Sequence, residues 1–478
     1  MLNKEFFFDE AISLYIAKQP LHRIIFLHLK SIDCVFPFFN YLLSFWIKIS
    51  DSIIWARVLP LIFGIFNIYL AYRIVAYLFN REIGLLTAFL VSTSEYYIFY
   101  SVEIRTYSLF TTLALLSWFY FLKFIKEPSF YKRFLYSFFT SLCIYSHLFG
   151  LFVLLTQSII LILNRKNYIS NFRKWAWSAI PIMVIISPLI LYYFYQYNNF
   201  YKIGSYVDYI PCFKYLISSL NIYSNHKYFL LLYIGLSIPI FIKKIKDLRI
   251  FNSFFKKIKL VFNRISTDFK LQFIFISFFL PLICICILSL GKIKFFSFYY
   301  SLPFFIFFYS IVSKIIIFYK DKIKNFILIL TIIILSLNGL RFSLFTAFFN
   351  YKLEINKVCE LIKRNLTRDD LVVIYDRYTF AIFGCLDVPI RIITNKEVLK
   401  DAKLYKADVF RNNFLTLDDY AVTEDYPLQI YSRLWLVYLE NTDLSDIDWF
   451  FKNYSKSLSR IYKIDKYLVR LYNLKERF

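Results

Sequence analysis

The sequence predicts a polytopic α-helical membrane protein that ends in a small α/β domain. Apolar residues make up 59% of the 478 positions, and aromatic residues alone make up 22%. A soluble chain of this length could not bury so much apolar surface, because it still has to cover itself with polar atoms. Apolar runs of roughly 20 residues, long enough to cross a bilayer, recur from Trp55 to Phe345. Residues 350–478 instead mix charged and apolar residues as a globular domain does.

Residues 1–54 are predicted to form an external segment with juxtamembrane helices. The stretch 36–49 is apolar and aromatic but too short to cross a bilayer, which favours an interfacial or re-entrant helix with Trp46 and Lys48 among the headgroups. The run Phe6–Phe8 is too short for the hydrophobic part of a signal peptide. We therefore expect either translocation of a short N-terminal tail or, as the favoured interpretation, a first span upstream of this chain.

Residues 55–349 are predicted to form the membrane domain, with about ten spans. The short pair within 133–163 could instead be one bent helix. The predicted spans are 55–79, 82–101, 105–125, 133–146, 148–163, 175–197, 226–242, 271–290, 295–319 and 325–345.

The distribution of basic residues predicts the orientation of these spans. If the segment before Trp55 is external, the loops predicted to be cytoplasmic carry most of the cations, whereas the external loop 198–225 has only Lys202 and Lys214. This matches the excess of Lys and Arg found in cytoplasmic loops of membrane proteins. Both the N-terminal segment and the C-terminal domain are then extracytoplasmic, on a multi-pass protein of the plasma (inner) membrane. The predicted cytoplasmic cations include Arg81, Lys126, Lys132, Arg133, Arg165, Lys166, Arg173, Lys174, Lys320, Lys322 and Lys324, with nine more between Lys243 and Lys270.

Residues 350–478 are predicted to form the external α/β domain. Apolar residues at helical spacing from Ile355 to Ile362 predict a helix, and Ser445 with Asp448 resembles a capping box that opens another. The stretches 371–375 and 433–439 predict strands, and the alternation over 460–472 predicts one final strand.

The net charge of +25 does not indicate nucleic-acid binding. Residues 350–478 hold 21 Lys and Arg against 19 Asp and Glu, so nearly all the excess lies between apolar spans. Cations placed there face anionic lipid headgroups. The seven cysteines form no CxxC pair and the four histidines show no metal-ligand spacing, so neither a disulfide framework nor a metal site is predicted. No cofactor is required by these patterns, and dependence on a divalent metal ion stays open.

Acidic residues collect on the predicted external side of the membrane. Three of them, Glu5, Asp51 and Asp208, are interpreted as solvated loop residues. Asp9 and Glu10 differ because they lie between Phe8 and the apolar stretch 11–17, where a carboxylate of raised pKa could act as a general base.

A second candidate cluster is the predicted external turn Glu103-Ile104-Arg105-Thr106-Tyr107. Arg105 could pair with Glu103 and so stabilise the turn, or its guanidinium could bind a phosphate through two parallel hydrogen bonds. Lys292 and Lys294, on another predicted external turn, break the positive-inside pattern locally and indicate an external anion. A phosphate that carries a long apolar tail is the candidate ligand.

Three stretches resemble conserved segments of the bacterial family 39 glycosyltransferases. They are FFFDEAISLY at 6–15, YSVEIRTYSL at 100–109 and YSHLFGLFVLLTQ at 145–157. This family belongs to the GT-C group and is related to protein O-mannosyltransferases and to the aminoarabinose transferase that acts on lipid A. The external tail with its late strand at 469–474 is also similar. The resemblance implies a GT-C-like fold and a polyprenyl-phosphate-linked sugar as donor.

The resemblance also implies roles for individual residues. Asp9 matches the family's catalytic aspartate and Glu10 its acidic neighbour. Glu103, Arg105 and Tyr107 match the E-x-R-x-Y segment near the donor phosphate. His147 matches a histidine at an external helix end, although a core or interface histidine fits equally well.

The sequence departs from the family at two places. Asp33 to Pro37 stands where the family has a His-Pro-Pro segment. Phe296 to Phe298 stands where the family has an Arg-Tyr-Leu, so Lys292 or Lys294 would have to supply the cation.

The predicted function is transfer of a sugar from a polyprenyl-phosphate carrier to an acceptor hydroxyl on the extracytoplasmic face, with inversion. The acceptor could be lipid, polysaccharide or protein. The alternatives are a transporter or flippase for a lipid-linked saccharide and an inactive paralogue that serves as an assembly subunit. A transporter should place ionisable residues near the middle of the membrane and show repeated halves. Neither feature is clear in this sequence.

Overall fold

The structure is a computed structural model of the whole chain. It describes residues 8–30, 35–50, 52–164, 169–203, 268–288, 298–319, 354–367, 370–374, 392–394, 414–416, 432–439, 455–464 and 467–474. These residues fall into two compact units. The first is helical and holds the described residues of Arg57–Tyr195 and Ile203–Phe345, and the second holds the N-terminal helices and the C-terminal sheet.

Three short helices form the N-terminal part of the second unit: α1 (Phe8–Ala17), α2 (Leu21–Lys30) and α3 (Phe38–Trp46). The amide Nδ2 of Asn40 donates to the carbonyl of Ser13 at 3.1 Å and so ties α3 to α1. Ile16, Ile24 and Leu27 pack into one apolar cluster. The short helix predicted within 36–49 is therefore confirmed as α3, which follows Pro37.

The described part of the helical unit contains nine helices, several of which are apolar along most of their length. Of these, four contain segments long and apolar enough to cross a membrane, Ile53–Leu78, Tyr107–Lys126, Trp175–Tyr195 and Phe269–Leu288. The chain is therefore a multi-pass membrane protein. The helices are α4 (Ile53–Leu78), α5 (Arg81–Ser92), α6 (Glu95–Tyr100), α7 (Tyr107–Lys126), α8 (Phe130–Ser146), α9 (Gly150–Leu163), α10 (Ile169–Ile203), α11 (Phe269–Leu288) and α12 (Leu302–Tyr319), with a 3₁₀ turn at Phe298–Ser301 before α12.

The span predicted over 82–101 is wrong as a single helix. Helix α5 ends at Ser92, and α6 begins at Glu95 after Ser94 has left the helical conformation. The buried hydroxyl of Ser94 accepts a hydrogen bond from the Tyr309 hydroxyl at 2.6 Å, which supports the break from a distant part of the chain. Hydropathy continues across the break, so the sequence pattern could not reveal it.

The remaining predicted spans agree with the structure to different extents. Residues 133–163 form two helices rather than one bent helix, because His147 adopts an extended conformation between α8 and α9. Within the described part of the span predicted over 295–319, the α-helix begins at Leu302, where Pro303 fits the first helical turn. The predicted spans 226–242 and 325–345 lie outside the described residues.

Helix α7 lies at the centre of the helical unit and packs against α8, α9 and α12. Its side chains are mostly buried, and several polar ones are hydrogen-bonded to neighbouring helices. The Ser117 hydroxyl lies 2.7 Å from the Thr140 hydroxyl of α8 and accepts from the Gln157 amide of α9 at 2.9 Å. Such bonds are needed because a polar group in a hydrocarbon environment has no water to pair with.

The C-terminal part of the second unit is an α/β domain, as predicted. Helix α13 (Glu354–Asn365) precedes a four-stranded sheet of order β1-β4-β6-β5, in which β1 and β4 are parallel and the other pairs antiparallel. Two further strands, β2 and β3, pair in parallel with each other. The strand bounds are β1 Asp370–Ile374, β2 Ile392–Thr394, β3 Phe414–Thr416, β4 Arg433–Leu439, β5 Ser455–Ile464 and β6 Tyr467–Leu474.

The single final strand predicted over 460–472 is wrong. Strand β5 ends at Ile464 and pairs antiparallel with β6, which begins at Tyr467. Charged and apolar residues are mixed throughout 460–472, so the sequence pattern alone does not show where the chain reverses. The helix predicted to open at Ser445 lies outside the described residues.

Candidate functional site

The E-x-R-x-Y segment forms the turn between α6 and α7, and three hydrogen bonds fix its path. The Arg105 amide donates to the Glu103 carbonyl at 2.6 Å, which closes the turn tightly. The Thr106 hydroxyl donates to the carbonyl of Ser146, at the end of α8, at 3.1 Å. The Ser108 hydroxyl donates back to the Tyr100 carbonyl at 3.1 Å and so joins the two helices across the turn.

Helix α4 packs closely against the same turn. A Cβ on Gly64 would lie 2.5 Å from the Cβ of Ser101, so only glycine allows α4 to come this close without displacing the chain. Three residues on from Gly64, the Asn67 amide donates to the Ser108 carbonyl at 3.1 Å and accepts from the Thr112 hydroxyl at 2.8 Å. The turn is therefore part of a packed framework.

The charged residues of the turn are partly withdrawn from the surface. Glu103 is buried, with 7% of its surface exposed, and Arg105 is half-buried. The Arg105 Nε donates to the Tyr107 hydroxyl at a long 3.5 Å, and its Cζ lies 5.9 Å from the centroid of the Tyr107 ring. A guanidinium has five N–H donors in a fixed fork, and this contact involves one of them.

His147 lies at the corner between α8 and α9, as a histidine at a helix end should. Its Nδ1 accepts a hydrogen bond from the Phe149 amide at 3.1 Å, so a neutral ring carries its proton on Nε2. The corner depends on Gly150, because a Cβ there would lie 2.8 Å from the Cys143 carbonyl carbon and oxygen. The ring is buried, with 4% of its surface exposed, and therefore has a fixed direction.

Aromatic contacts bring Tyr107, His147 and Tyr300 together. The Tyr300 ring lies 4.4 Å from His147, 5.2 Å from Phe149 and 6.2 Å from Tyr107, measured between ring centroids. These residues come from the start of α7, the α8–α9 corner and the 3₁₀ turn before α12. The structure thus connects two predicted site residues, Tyr107 and His147, through Tyr300. The sequence did not indicate Tyr300 as a site residue.

The two predicted catalytic acids belong to α1, in the second unit. Asp9 and Glu10 occupy its first turn, and the Glu10 side chain is fully buried. Their catalytic role stays a prediction. The same holds for Lys292 and Lys294, which lie outside the described residues. Within the described ranges, no cluster of three or more His, Cys, Asp or Glu side chains could hold a metal ion.

The chain is similar to a known protein family over part of its length and to solved structures over most of it. The sequence model of the family described as dolichyl-phosphate-mannose-protein mannosyltransferase matches residues 35–192. That stretch contains the E-x-R-x-Y turn and His147 but neither Asp9, Glu10 nor Tyr300. No curated protein sequence matches the chain.

Solved structures show the same fold over nearly the whole chain. ArnT from Cupriavidus metallidurans in the apo state superposes with a TM-score of 0.64 at 10% identity, over 98% of this chain and 94% of that one. ArnT from the same organism bound to undecaprenyl phosphate gives the same TM-score and coverage at 11% identity. The predicted resemblance to GT-C proteins and the predicted fold class are thereby confirmed.

Proposed function

We propose that this chain, a multi-pass membrane protein of GT-C type, transfers a sugar from a polyprenyl-phosphate carrier to an acceptor hydroxyl. The reaction would take place at the extracytoplasmic face of the plasma (inner) membrane, with inversion at the sugar's anomeric carbon. The acceptor would be a hydroxyl of a lipid, a polysaccharide or a protein.

The observation that carries this proposal is the position of Arg105 in its turn. The guanidinium lies beside Tyr107, directly before a helix of membrane-spanning length, on a backbone anchored by Thr106 and Gly64. A phosphate bound there would have its headgroup at the membrane surface while its prenyl tail lies among the lipid chains. Arginine suits this task because its fork binds two phosphate oxygens at once.

A carrier of this kind is supported by the structural relative. ArnT from Cupriavidus metallidurans, which shares the fold, has been solved with undecaprenyl phosphate bound. The description of the family matched over residues 35–192 includes dolichyl phosphate. Like undecaprenyl phosphate, dolichyl phosphate is a long prenyl chain on a phosphate. That this chain binds the same class of carrier is part of the proposal.

The proposed chemistry is a single displacement. The Asp9 carboxylate accepts the proton of the acceptor hydroxyl, and the acceptor oxygen attacks the anomeric carbon from the face opposite the carrier. The bond between the anomeric carbon and the phosphate oxygen breaks, and the carrier phosphate leaves with the electron pair. Arg105, assisted by Lys292 or Lys294, stabilises the charge on this leaving group. Glu10 orients Asp9 or the acceptor.

The distribution of charges supports the proposed side of the membrane. Arg81 is the first residue of α5, and Lys123 and Lys126 lie in the last turn of α7. These ends carry cations and are therefore assigned to the cytoplasm. The turn at Arg105, at the opposite end of α7, would then be extracytoplasmic.

The experiment is a transfer assay with the full chain in proteoliposomes. Undecaprenyl-phosphate-linked sugars are supplied as donors, and release of undecaprenyl phosphate is measured for wild type, Asp9→Asn and Glu10→Gln. Loss of a general base should lower the rate by about 10²- to 10⁴-fold in Asp9→Asn. An unchanged rate in that variant would remove the proposed base. Movement of intact donor between leaflets without release of carrier would indicate a flippase, and inactivity of the wild type with every donor would favour an assembly subunit.

A further inference from the structure

Helices α4 and α7 run side by side in the same direction and end together. Asn67 of α4 bonds Ser108 near the start of α7, and further along both helices Arg73 of α4 contacts Phe119 of α7. At the ends of the two helices, Lys126 of α7 lies over the Tyr77 ring of α4. The two C-terminal ends therefore form one surface at the membrane face that lies opposite the Arg105 turn.

Three cations from these two helices rest on aromatic rings at that surface. The Arg73 Cζ lies 5.5 Å from the Tyr69 ring and 5.5 Å from the Phe119 ring. The Lys123 Nζ lies 4.5 Å from the same Phe119 ring, so the two charges are no farther apart than the sum of these distances. The Lys126 Nζ lies 5.4 Å from the Tyr77 ring. We name this surface the basic–aromatic strip; it consists of Tyr69, Arg73, Tyr77, Phe119, Lys123 and Lys126.

The charge of the strip is not neutralised within the described part of the chain. No described carboxylate forms an ion pair with Arg73, Lys123 or Lys126. The nearby carboxylate of Glu127 forms an ion pair with Lys132, at 2.7 Å between Nζ and Oε2. This bond and the cations Lys132, Lys126 and Lys123 hold the pKa of the exposed Glu127 carboxyl below its usual value. Several like charges held close together favour an anion between them.

Apolar surface continues from the strip along α4. Ile62, Ile65 and Phe66 are exposed, at 47%, 60% and 39% of their surface, and Tyr69 continues this row toward Arg73. These residues recur at helical spacing on one face of a helix long enough to cross the membrane. A ligand that fits both surfaces has an anionic headgroup that contacts the basic–aromatic strip and a hydrocarbon chain that contacts the exposed face of α4.

We propose that the basic–aromatic strip binds the phosphate headgroup of an anionic glycerophospholipid in the cytoplasmic leaflet. Its acyl chains would lie along the exposed face of α4. The proposed donor site is at the other end of α7, about 18–28 Å along the helix from Phe119, Lys123 and Lys126. The lipid site is therefore separate from the proposed donor site and independent of the proposed reaction.

The test measures thermal unfolding of the purified full chain in neutral detergent micelles with added phosphatidylglycerol, phosphatidylcholine or inorganic phosphate. The site variant is Arg73→Gln/Lys123→Gln/Lys126→Gln. The control Lys357→Gln/Lys363→Gln/Arg460→Gln removes the same charge from exposed positions of the C-terminal domain. Phosphatidylglycerol should raise the midpoint of wild type and control by on the order of 2–4 °C, because a ligand bound only to the folded state stabilises it. Phosphatidylcholine and inorganic phosphate should not.

The site variant should lose this rise, and native mass spectrometry should show less phosphatidylglycerol retained. If the triple variant does not fold, Arg73→Gln alone should reduce the rise, whereas Lys123→Arg/Lys126→Arg should keep it because the charge is retained. The proposal is overturned if the site variant responds as wild type does. It is also overturned if phosphatidylcholine or inorganic phosphate gives an equal rise, since the site would then not select an anionic lipid.

Discussion

The hydroxyl of Thr106 donates a hydrogen bond to the carbonyl of Ser146, 40 residues later in the chain, at 3.1 Å. This bond connects the turn that carries Arg105 to the corner that carries His147. Both residues of the pair are buried, so the bond is protected from water. The position of the Arg105 guanidinium thus depends on the packing of α7 against α8.

Replacement of Thr106 by valine tests this dependence. Valine keeps the shape of threonine but removes the donor, so the buried Ser146 carbonyl loses a partner at a cost of about 1–3 kcal/mol. The thermal midpoint should fall, and use of the lipid-linked donor should fall with it, because Arg105 is held less firmly.

Thr111→Val is the matched control for Thr106→Val. Thr111 is also buried, but its hydroxyl donates to the Tyr107 carbonyl within α7. Removing that bond should change stability less and should leave donor use unchanged. Equal effects of the two substitutions on donor use would contradict a special role for the connection between Thr106 and Ser146.

Gly150→Ala tests the corner between α8 and α9. The added methyl would lie 2.8 Å from backbone atoms of Cys143 and Ile144, and backbone cannot move aside as a flexible side chain can. Overpacking of this kind typically costs about 1–3 kcal/mol. We expect a lower thermal midpoint and a displaced His147 ring, whereas Leu151→Ala at the exposed neighbouring position should change little. Wild-type stability of Gly150→Ala would show that the corner is not tightly packed.

The bidentate pair of Asp370 and Arg433 predicts how the C-terminal domain responds to acid. Arg433 donates to both Asp370 oxygens, at 2.8 and 2.7 Å, and Trp435 adds a third bond at 2.9 Å. Burial alone would raise the pKa of Asp370, but hydrogen bonds from Arg433, Thr367 and Trp435 hold it below its usual value. Its contribution to stability is therefore fully present above about pH 4 and is lost as the pH falls through the lowered pKa.

Hydrogen exchange of β1 and β4 in the full chain measures this contribution. Protection, corrected for intrinsic rates, should decrease in the wild type as the pH falls below about 4. Asp370→Asn should reduce protection already at neutral pH, by roughly 1.5–3 kcal/mol, and should flatten the acid dependence. Glu360→Gln, which removes one partner of an exposed pair, is the control and should have little effect. A wild-type acid profile in Asp370→Asn would contradict the role given to this carboxylate.

Sequence reasoning succeeded where the information is local. Strand β4 has the predicted bounds 433–439, because RLWLVYL combines β-branched and aromatic residues in a run of strand length. The turn at Glu103 to Tyr107 was also located correctly, since it interrupts two apolar stretches with charged residues. His147 was likewise placed correctly at a helix end.

Sequence reasoning failed where distant contacts decide the structure. The break between α5 and α6 is supported by Tyr309, more than 200 residues away in the chain. Tyr300 is one of 41 tyrosines, and no local pattern distinguishes it. Only the folded chain shows that it joins His147 to Tyr107.

Binding of undecaprenyl phosphate to the purified full chain tests the central claim most directly. Arg105→Ala should weaken binding by roughly 10- to 150-fold, the loss of about 1.5–3 kcal/mol expected for a charge-assisted hydrogen bond. Arg105→Lys should be intermediate, because lysine keeps the charge but not the fork. Arg81 is exposed and is the first residue of α5. The variant Arg81→Ala should bind undecaprenyl phosphate as wild type does. Equal affinity of Arg105→Ala and wild type for undecaprenyl phosphate would contradict the assignment of this turn to the carrier phosphate.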